Sequence, residues 1–195
     1  MASAVIHEQN NFDDSTAAAI DIGSNAIRMI IGQLGPDGEI QVLESLHKSA
    51  LLGHDTFTSG RIGRKSMQNA IGILREFSSV LQTYKVRYCR VVATSAVREA
   101  ANADVFLDRV MIATGVEIEV IDTSEESRLM VTAIYNRIDR NDELLKDNVL
   151  VVEAGGGSTI LTLVHDGDII ASHTIGLGAV KLLEEYYNWQ SAWSE

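Results

Sequence analysis

The sequence predicts an α/β fold: a mixed five-stranded sheet flanked by helices in the order βββαβαβα, followed by a second, shortened copy that stops after βββα. Three observations predict it. First, a glycine-bearing turn between two apolar, β-like runs occurs twice, once as Asp21, Ile22, Gly23, Ser24, Asn25 and again as Glu153, Ala154, Gly155, Gly156, Gly157, Ser158, Thr159. Second, each turn is followed by another apolar run and then a hairpin signal, so each opens a three-stranded meander. Third, the stretch between the meanders alternates β-like runs with segments whose apolar residues recur every three or four positions, the pattern of helices laid on a sheet.

The elements follow in order. Residues 17–21 read as a strand and 27–34 as its partner across the Gly23 turn. Gly35, Pro36, Asp37 and Gly38 form a strong turn signal, and 39–46 make the third strand. Met67, Ala70, Ile71, Leu74, Phe77, Leu81 and Tyr84 form the apolar stripe of a helix over 65–84. Residues 86–93 read as a buried strand ending at Thr94 and Ser95. A helix is expected over 103–113 with Gly115 as its stop, then an alternating strand over 116–121. Thr123 and Glu126 have capping-box spacing and open a further helix, whose apolar side carries Leu129, Met130, Ala133, Ile134 and Ile138. The polar run 139–148 reads as a loop. The second meander is 149–154, 159–165, a turn at 166–168 and 169–175, and a last helix covers 181–187. Residues 1–16 are expected to be a disordered tail, 17–122 a first domain, and 123–195 a linking helix with the beginning of a second, incomplete domain.

Bulk composition narrows the function classes. At 195 residues, 46% hydrophobic and 22% charged, the chain has the make-up of an ordinary globular protein with a real core. A formal net charge of −11 argues against nucleic acid as a partner and requires any phosphate site to rely on backbone amides, a few cations and a divalent metal. No window reaches the roughly 20 apolar residues of a membrane span, and the first residues lack the apolar region of a secretory signal. One cysteine, Cys89, permits no internal disulfide, which fits a cytoplasmic protein, and it is expected to be buried.

The candidate chemistry sits at the turns. Glycine lets a ligand approach the main chain closely, and exposed amides with Ser and Thr hydroxyls form an anion-binding concavity. Gly23, Ser24 and Asn25 with Gly155, Gly156, Gly157, Ser158 and Thr159 are therefore expected to grip phosphate from two sides. Neither turn ends in Gly-Lys-Ser/Thr before a helix, so this is not a P-loop. Asp21 and Glu153 end the strands that deliver the turns and are candidates to orient a divalent cation or its water, or to accept backbone N–H groups. Thr94, Ser95 and Arg98 lie past the carboxyl end of a strand, where open sheets place ligands; Arg98 suits phosphate oxygens or is a surface helix arginine. The capping reading gives Glu126 a structural task and leaves Glu125 as the better general base, or as a first-turn acid complementing the helix dipole.

These stretches together resemble the exopolyphosphatase and guanosine pentaphosphate phosphatase family (Ppx/GppA), a branch of the ribonuclease-H-like, actin-like ATPase superfamily. The resemblance is carried by residues 21–28, 93–100, 114–121, 125–129, 155–159 and 175–182, in the family's order, within about residues 17–185. It implies Mg²⁺-dependent release of orthophosphate from polyphosphate or guanosine pentaphosphate, with the glycine turns on phosphate and a glutamate, mapped to Glu125 with Glu126 as alternative, activating water. Glu153 stands where the family usually has Asp, Ala26 where Ser is frequent, and Leu51 where Arg is common. The family's second domain extends well past residue 195, so the chain is expected to be an N-terminal portion, and a homodimer is one way to complete it. A non-catalytic sensor of polyphosphate or nucleotide is the alternative reading.

Overall fold

The structure is a computed structural model that describes residues 16–35, 38–137 and 148–192, with side chains to residue 186. The expected tail before Thr16, the centre of the turn at Pro36 and Asp37, Ile138 and nearly all of the loop at 139–148 lie outside the described residues.

Two sheets form. The larger is built from β1 (Thr16–Ile22), β2 (Ala26–Leu34), β3 (Ile40–Ser49), β4 (Tyr88–Ala93) and β5 (Glu119–Val120), in the order β3-β2-β1-β4-β5. β1, β2 and β3 pair antiparallel, whereas β4 and β5 add in parallel, giving the mixed sheet expected. The smaller sheet is the antiparallel meander β6 (Asn148–Ala154), β7 (Thr159–His165) and β8 (Asp168–Ile175). Its β7–β8 turn has positive φ at Asp166 (48°) and Gly167 (86°). That conformation matches a tight hairpin to strand twist.

Among the described residues, six helices connect and cover these strands: α1 (Leu52–Ser59), α2 (Arg64–Thr83), α3 (Ser95–Arg98), α4 (Ala103–Thr114), α5 (Thr123–Tyr135) and α6 (Ala179–Ala192). α2 buries Met67, Ala70, Ile73, Leu74 and Phe77. α4 stops at Gly115, whose φ of 70° lets its N–H close on the Met111 carbonyl, the glycine stop expected. The core lies on one face of the larger sheet, where Ile20, Ile22, Ile27, Met29 and Ile31 meet Leu52, Leu74, Phe77, Val97, Phe106 and Val110. Each such side chain contributes about 1.5–3 kcal/mol by leaving water.

Several expectations change. α1 and α3 have no counterpart among the expected elements. β5 is two residues long instead of six, because only Glu119 and Val120 find partners on β4. β4 is not buried throughout: Tyr88, Cys89 and Arg90 are exposed, while Val91 and Ala93 are covered. Cys89 is thus exposed, not buried, because it lies at the open end of the strand, ahead of the part that the core covers. The capping box at Thr123 does not form. Asp122 is the N-cap, its extended backbone (φ −80°, ψ 173°) placing its carboxylate 2.8 Å from the Glu125 N–H. Aspartate is among the best residues for that position.

Candidate active site

The two glycine turns are built alike. In the first, the Gly23 N–H donates to the Ala26 carbonyl at 3.0 Å; in the second, the Gly155 N–H donates to the Ser158 carbonyl at 2.9 Å. None of Gly23, Gly155, Gly156 and Gly157 has positive φ, so what these glycines supply is proximity. A Cβ on Gly156 would lie 2.6 Å from the Ser24 Cβ, and one on Gly157 would lie 2.8 Å from the Ser95 hydroxyl oxygen. The turns therefore touch across a cleft, and Ser24 and Ser95 share a buried 3.0 Å hydrogen bond at its base.

The neighbouring segments lock this junction. The Gly53 N–H donates to the Ser24 carbonyl at 2.7 Å, and the N–H groups of Ala50 and Leu51 both reach the Asn25 carbonyl. Leu51 adopts the left-handed conformation (φ 55°) to do so and stays exposed, a strained choice for a leucine. On the other side, the first amides of α6 are taken up by the second turn: Ala179 N–H donates to Gly155, and Val180 and Lys181 N–H groups donate to Gly156. His54 to Glu184 (2.7 Å) and Lys181 to Glu99 (3.0 Å) tie α1 and the end of α3 to α6 behind the cleft.

The cleft has a volume of about 590 Å³, within the range of small-molecule sites. Of the sequence candidates, Asp21, Gly23, Ser24, Asn25, Thr94, Ser95, Glu126, Glu153, Gly155, Gly156 and Ser158 line it. Four candidates do not. Gly157 packs behind it against Phe57 and Ser95. The Thr159 hydroxyl donates to the Leu177 carbonyl at 2.6 Å. Arg98 does not line the cleft either; its guanidinium donates to the Ile121 carbonyl (2.8 Å) and to Glu126 Oε2 (3.1 Å). Glu125 lies off the cleft in ion pairs with Arg128 (2.7 Å) and Arg90 (3.0 Å). Hydrogen bonds from Arg128 and then Arg90 hold its carboxyl down at about 2.

The three cleft carboxylates all shift upward, opposite to Glu125. Burial pushes Asp21 up against the opposing pull of Arg28, 3.4 Å away. Burial also raises Glu126, despite the Arg98 charge and helped by Asp21. Burial and then the charges of Glu126 and Asp21 raise Glu153, and its Oε2 is buried with no hydrogen-bond partner. An orphaned carboxylate oxygen facing two further acids suits a bound cation. Among the described residues no three ligating side chains converge to complete such a site, so phosphate oxygens and water would supply the remaining ligands, the usual arrangement for Mg²⁺.

Sequence reasoning did not single out Arg28, and it read Leu129, Met130 and Ala133 only as the apolar side of a helix; all four line the cleft. Arg28 was legible from hairpin register, since counting back from the Gly23 turn puts it opposite Asp21.

Two sheets joined by touching glycine turns, with an acidic cleft between them, define a class of two-lobed α/β proteins. Comparison with known proteins gives the family. Residues 29–191 match the model of the Ppx/GppA phosphatase family, and the chain belongs to it. The chain is 30% identical to the Aquifex aeolicus member whose crystal structure characterised the family, covering 87% of this chain and 54% of that one with a TM-score of 0.74. An exopolyphosphatase from Cytophaga hutchinsonii superposes with a TM-score of 0.80 at 25% identity, over 87% of this chain and 53% of that one. A curated relative from Photobacterium profundum, a guanosine-5'-triphosphate,3'-diphosphate pyrophosphatase, is 29% identical over 87% of this chain and 33% of its own. The chain thus spans about a third of that relative and about half of the solved ones. No helix among the described residues is long and apolar enough to cross a membrane.

Proposed function

We propose that the cleft holds the terminal phosphates of inorganic polyphosphate or guanosine pentaphosphate and that Glu126 is the general base for their hydrolysis. Glu126 takes a proton from a water molecule as its oxygen attacks the terminal phosphorus. The phosphoanhydride P–O bond breaks, orthophosphate leaves, and the shortened chain keeps the bridging oxygen. The hydroxyls of Ser24, Ser95 and Ser158 and the turn amides orient the phosphates; Asp21 and Glu153 are the residues that would hold Mg²⁺, which supplies positive charge where negative charge gathers.

The single observation that supports this reading is the difference between adjacent glutamates. Glu126 lines the cleft with its proton affinity raised by burial, as a base for neutral pH requires. Glu125 lies outside the cleft, doubly paired with arginine and held down at about 2. Arg98, anchored on the Ile121 carbonyl, fixes the Glu126 carboxylate in place. The test is phosphate release with Mg²⁺ by the unsubstituted chain, Glu126→Gln and Glu125→Gln. Glu126→Gln is expected to lower turnover by about 10²–10⁴-fold, and Glu125→Gln by far less. Equal losses would remove Glu126 from the role. Substrate binding without turnover by the unsubstituted chain would favour the sensor reading instead.

A further inference from the structure

Glu126 is the first residue of α5 that lines the cleft, so its place is set by how the start of that helix is held. On one side α5 packs against β7 and β8 of the smaller sheet, where the Ser127 and Ser172 hydroxyls lie 2.9 Å apart. Two arginine ion pairs join it to the other lobe. Arg98, at the end of α3, holds Glu126 itself, and Arg90, on β4, holds Glu125. The Arg90 guanidinium reaches further. Its Nε and Nη2 donate to the two carboxylate oxygens of Glu119 on β5 at 3.0 and 3.1 Å, and Nη2 also donates to Glu125 Oε1 at 3.0 Å. One planar cation thus clasps β4, β5 and α5 together, a geometry that arginine supports and lysine does not. Arg128 also binds Glu125, at 2.7 and 2.8 Å, but it lies on α5 and moves with it. An isolated exposed pair contributes little, whereas a bidentate network of several charges holds geometry. The phosphate cradle draws on both lobes, through Ser24 and Ser158, so a base on the helix between them must be registered against both. A misplacement of about 1 Å costs about 10²-fold in rate.

We propose that Arg90 is a positioning residue: by clasping Glu119 and Glu125 it fixes the first turn of α5 to the larger sheet and so aims the Glu126 carboxylate at the attacking water. Arg90 itself touches neither phosphate nor metal. This rests on the reading of Glu126 as the general base.

Hydrogen exchange and phosphate release from polyphosphate with Mg²⁺, both on the full 195-residue chain, test it. Arg90→Met keeps the length of the side chain and removes its charge. Lys48→Met is the control, since Lys48 pairs with Glu76 at 3.0 Å at similar exposure outside this network. Exchange of the amides of residues 123–128 should rise severalfold in Arg90→Met and stay unchanged in Lys48→Met. The kcat of Arg90→Met should fall roughly tenfold, with KM within about twofold, the pattern of an interaction felt only in the transition state. In a Glu126→Gln background Arg90→Met should cost nothing more, because residues that act as a unit are not additive. Glu119→Gln, which loosens the clasp from β5, should show the same pattern at smaller amplitude, and circular dichroism melts confirm that each variant folds. Unchanged exchange at 123–128 in Arg90→Met would overturn the proposal. So would a raised KM at unchanged kcat, or a loss that multiplies with that of Glu126→Gln. No turnover by the unsubstituted chain, or full turnover by Glu126→Gln, would strike the hydrolase or base reading instead, and the exchange arm would still decide whether Arg90 fixes α5.

Discussion

The β1–β2 and β6–β7 hairpins are closed by the same Gly N–H to carbonyl bond, yet they carry unequal burdens. In the first, Asp21 stands opposite Arg28 across the ladder and pairs with it. In the second, Glu153 stands opposite Ile160, which offers no charge, and one of its oxygens is left without a partner. The surroundings differ as well. Ile20, Ile22 and Ile27 of the first hairpin are buried to within 1% exposure, whereas Leu150 and Val152 of the second are 59% and 58% exposed. The first hairpin is therefore anchored in the core, whereas the second buries Ile160, Thr162 and Val164 of β7 and leaves the outward side chains of β6 exposed. A local turn is specified by a few residues; its stability and its charge balance depend on what stands opposite.

The largest effect that separates the two regions is packing. Phe77→Ala, beneath the larger sheet, should cost about 3–5 kcal/mol in urea unfolding, whereas Leu150→Ala on the smaller sheet should stay within about 0.5 kcal/mol. Similar losses would mean that the smaller sheet has a cover equivalent to α2 and α4.

A second, smaller effect tests the junction. Gly156→Ala puts a methyl group against Ser24 and should cost about 1–3 kcal/mol through overpacking, together with weaker phosphate binding. Gly72→Ala, where a Cβ meets open space within α2, should stabilise by up to about 1 kcal/mol. If Gly156→Ala were neutral in both melting and phosphate titration, the turns would not be in contact.

The smallest effect concerns the unpaired acid. Burial raises the Glu153 pKa in the folded state, so its ionised form is disfavoured by folding. The fold gains from its protonation at low pH and loses that gain as pH rises through the raised value. Glu153→Gln should therefore raise the melting temperature at pH 7, and the advantage should vanish below the ordinary glutamate range. Mg²⁺ should stabilise the unsubstituted chain more than this variant, since a ligand that binds only the folded state adds to its stability. An unchanged melting temperature at pH 7 would show that Glu153 is already neutralised.

Strand and helix identity was largely legible because periodicity is local. The stripe on α2, the stop at Gly115 and both meanders needed only residues within a few positions of one another. α1 escaped although Gly60, left-handed at φ 71°, ends it visibly, because its eight residues carry too few apolar positions to show a period. The cap of α5 escaped for a similar reason: Asp122 and Thr123 are both good cap residues, and only the backbone at Asp122 decides between them.

By itself the sequence determined the two glycine turns, the carboxylates that precede them, the mixed sheet and the family resemblance, since each rests on short-range pattern. Only the tertiary structure decided which of two adjacent glutamates faces the cleft, that Arg98 holds a carboxylate in place of lining the phosphate site, and that Met130 shares a wall with the turns. Those outcomes depend on how α5 is rotated between the two sheets. That rotation is set by packing among segments far apart in the chain, and no local spacing records it.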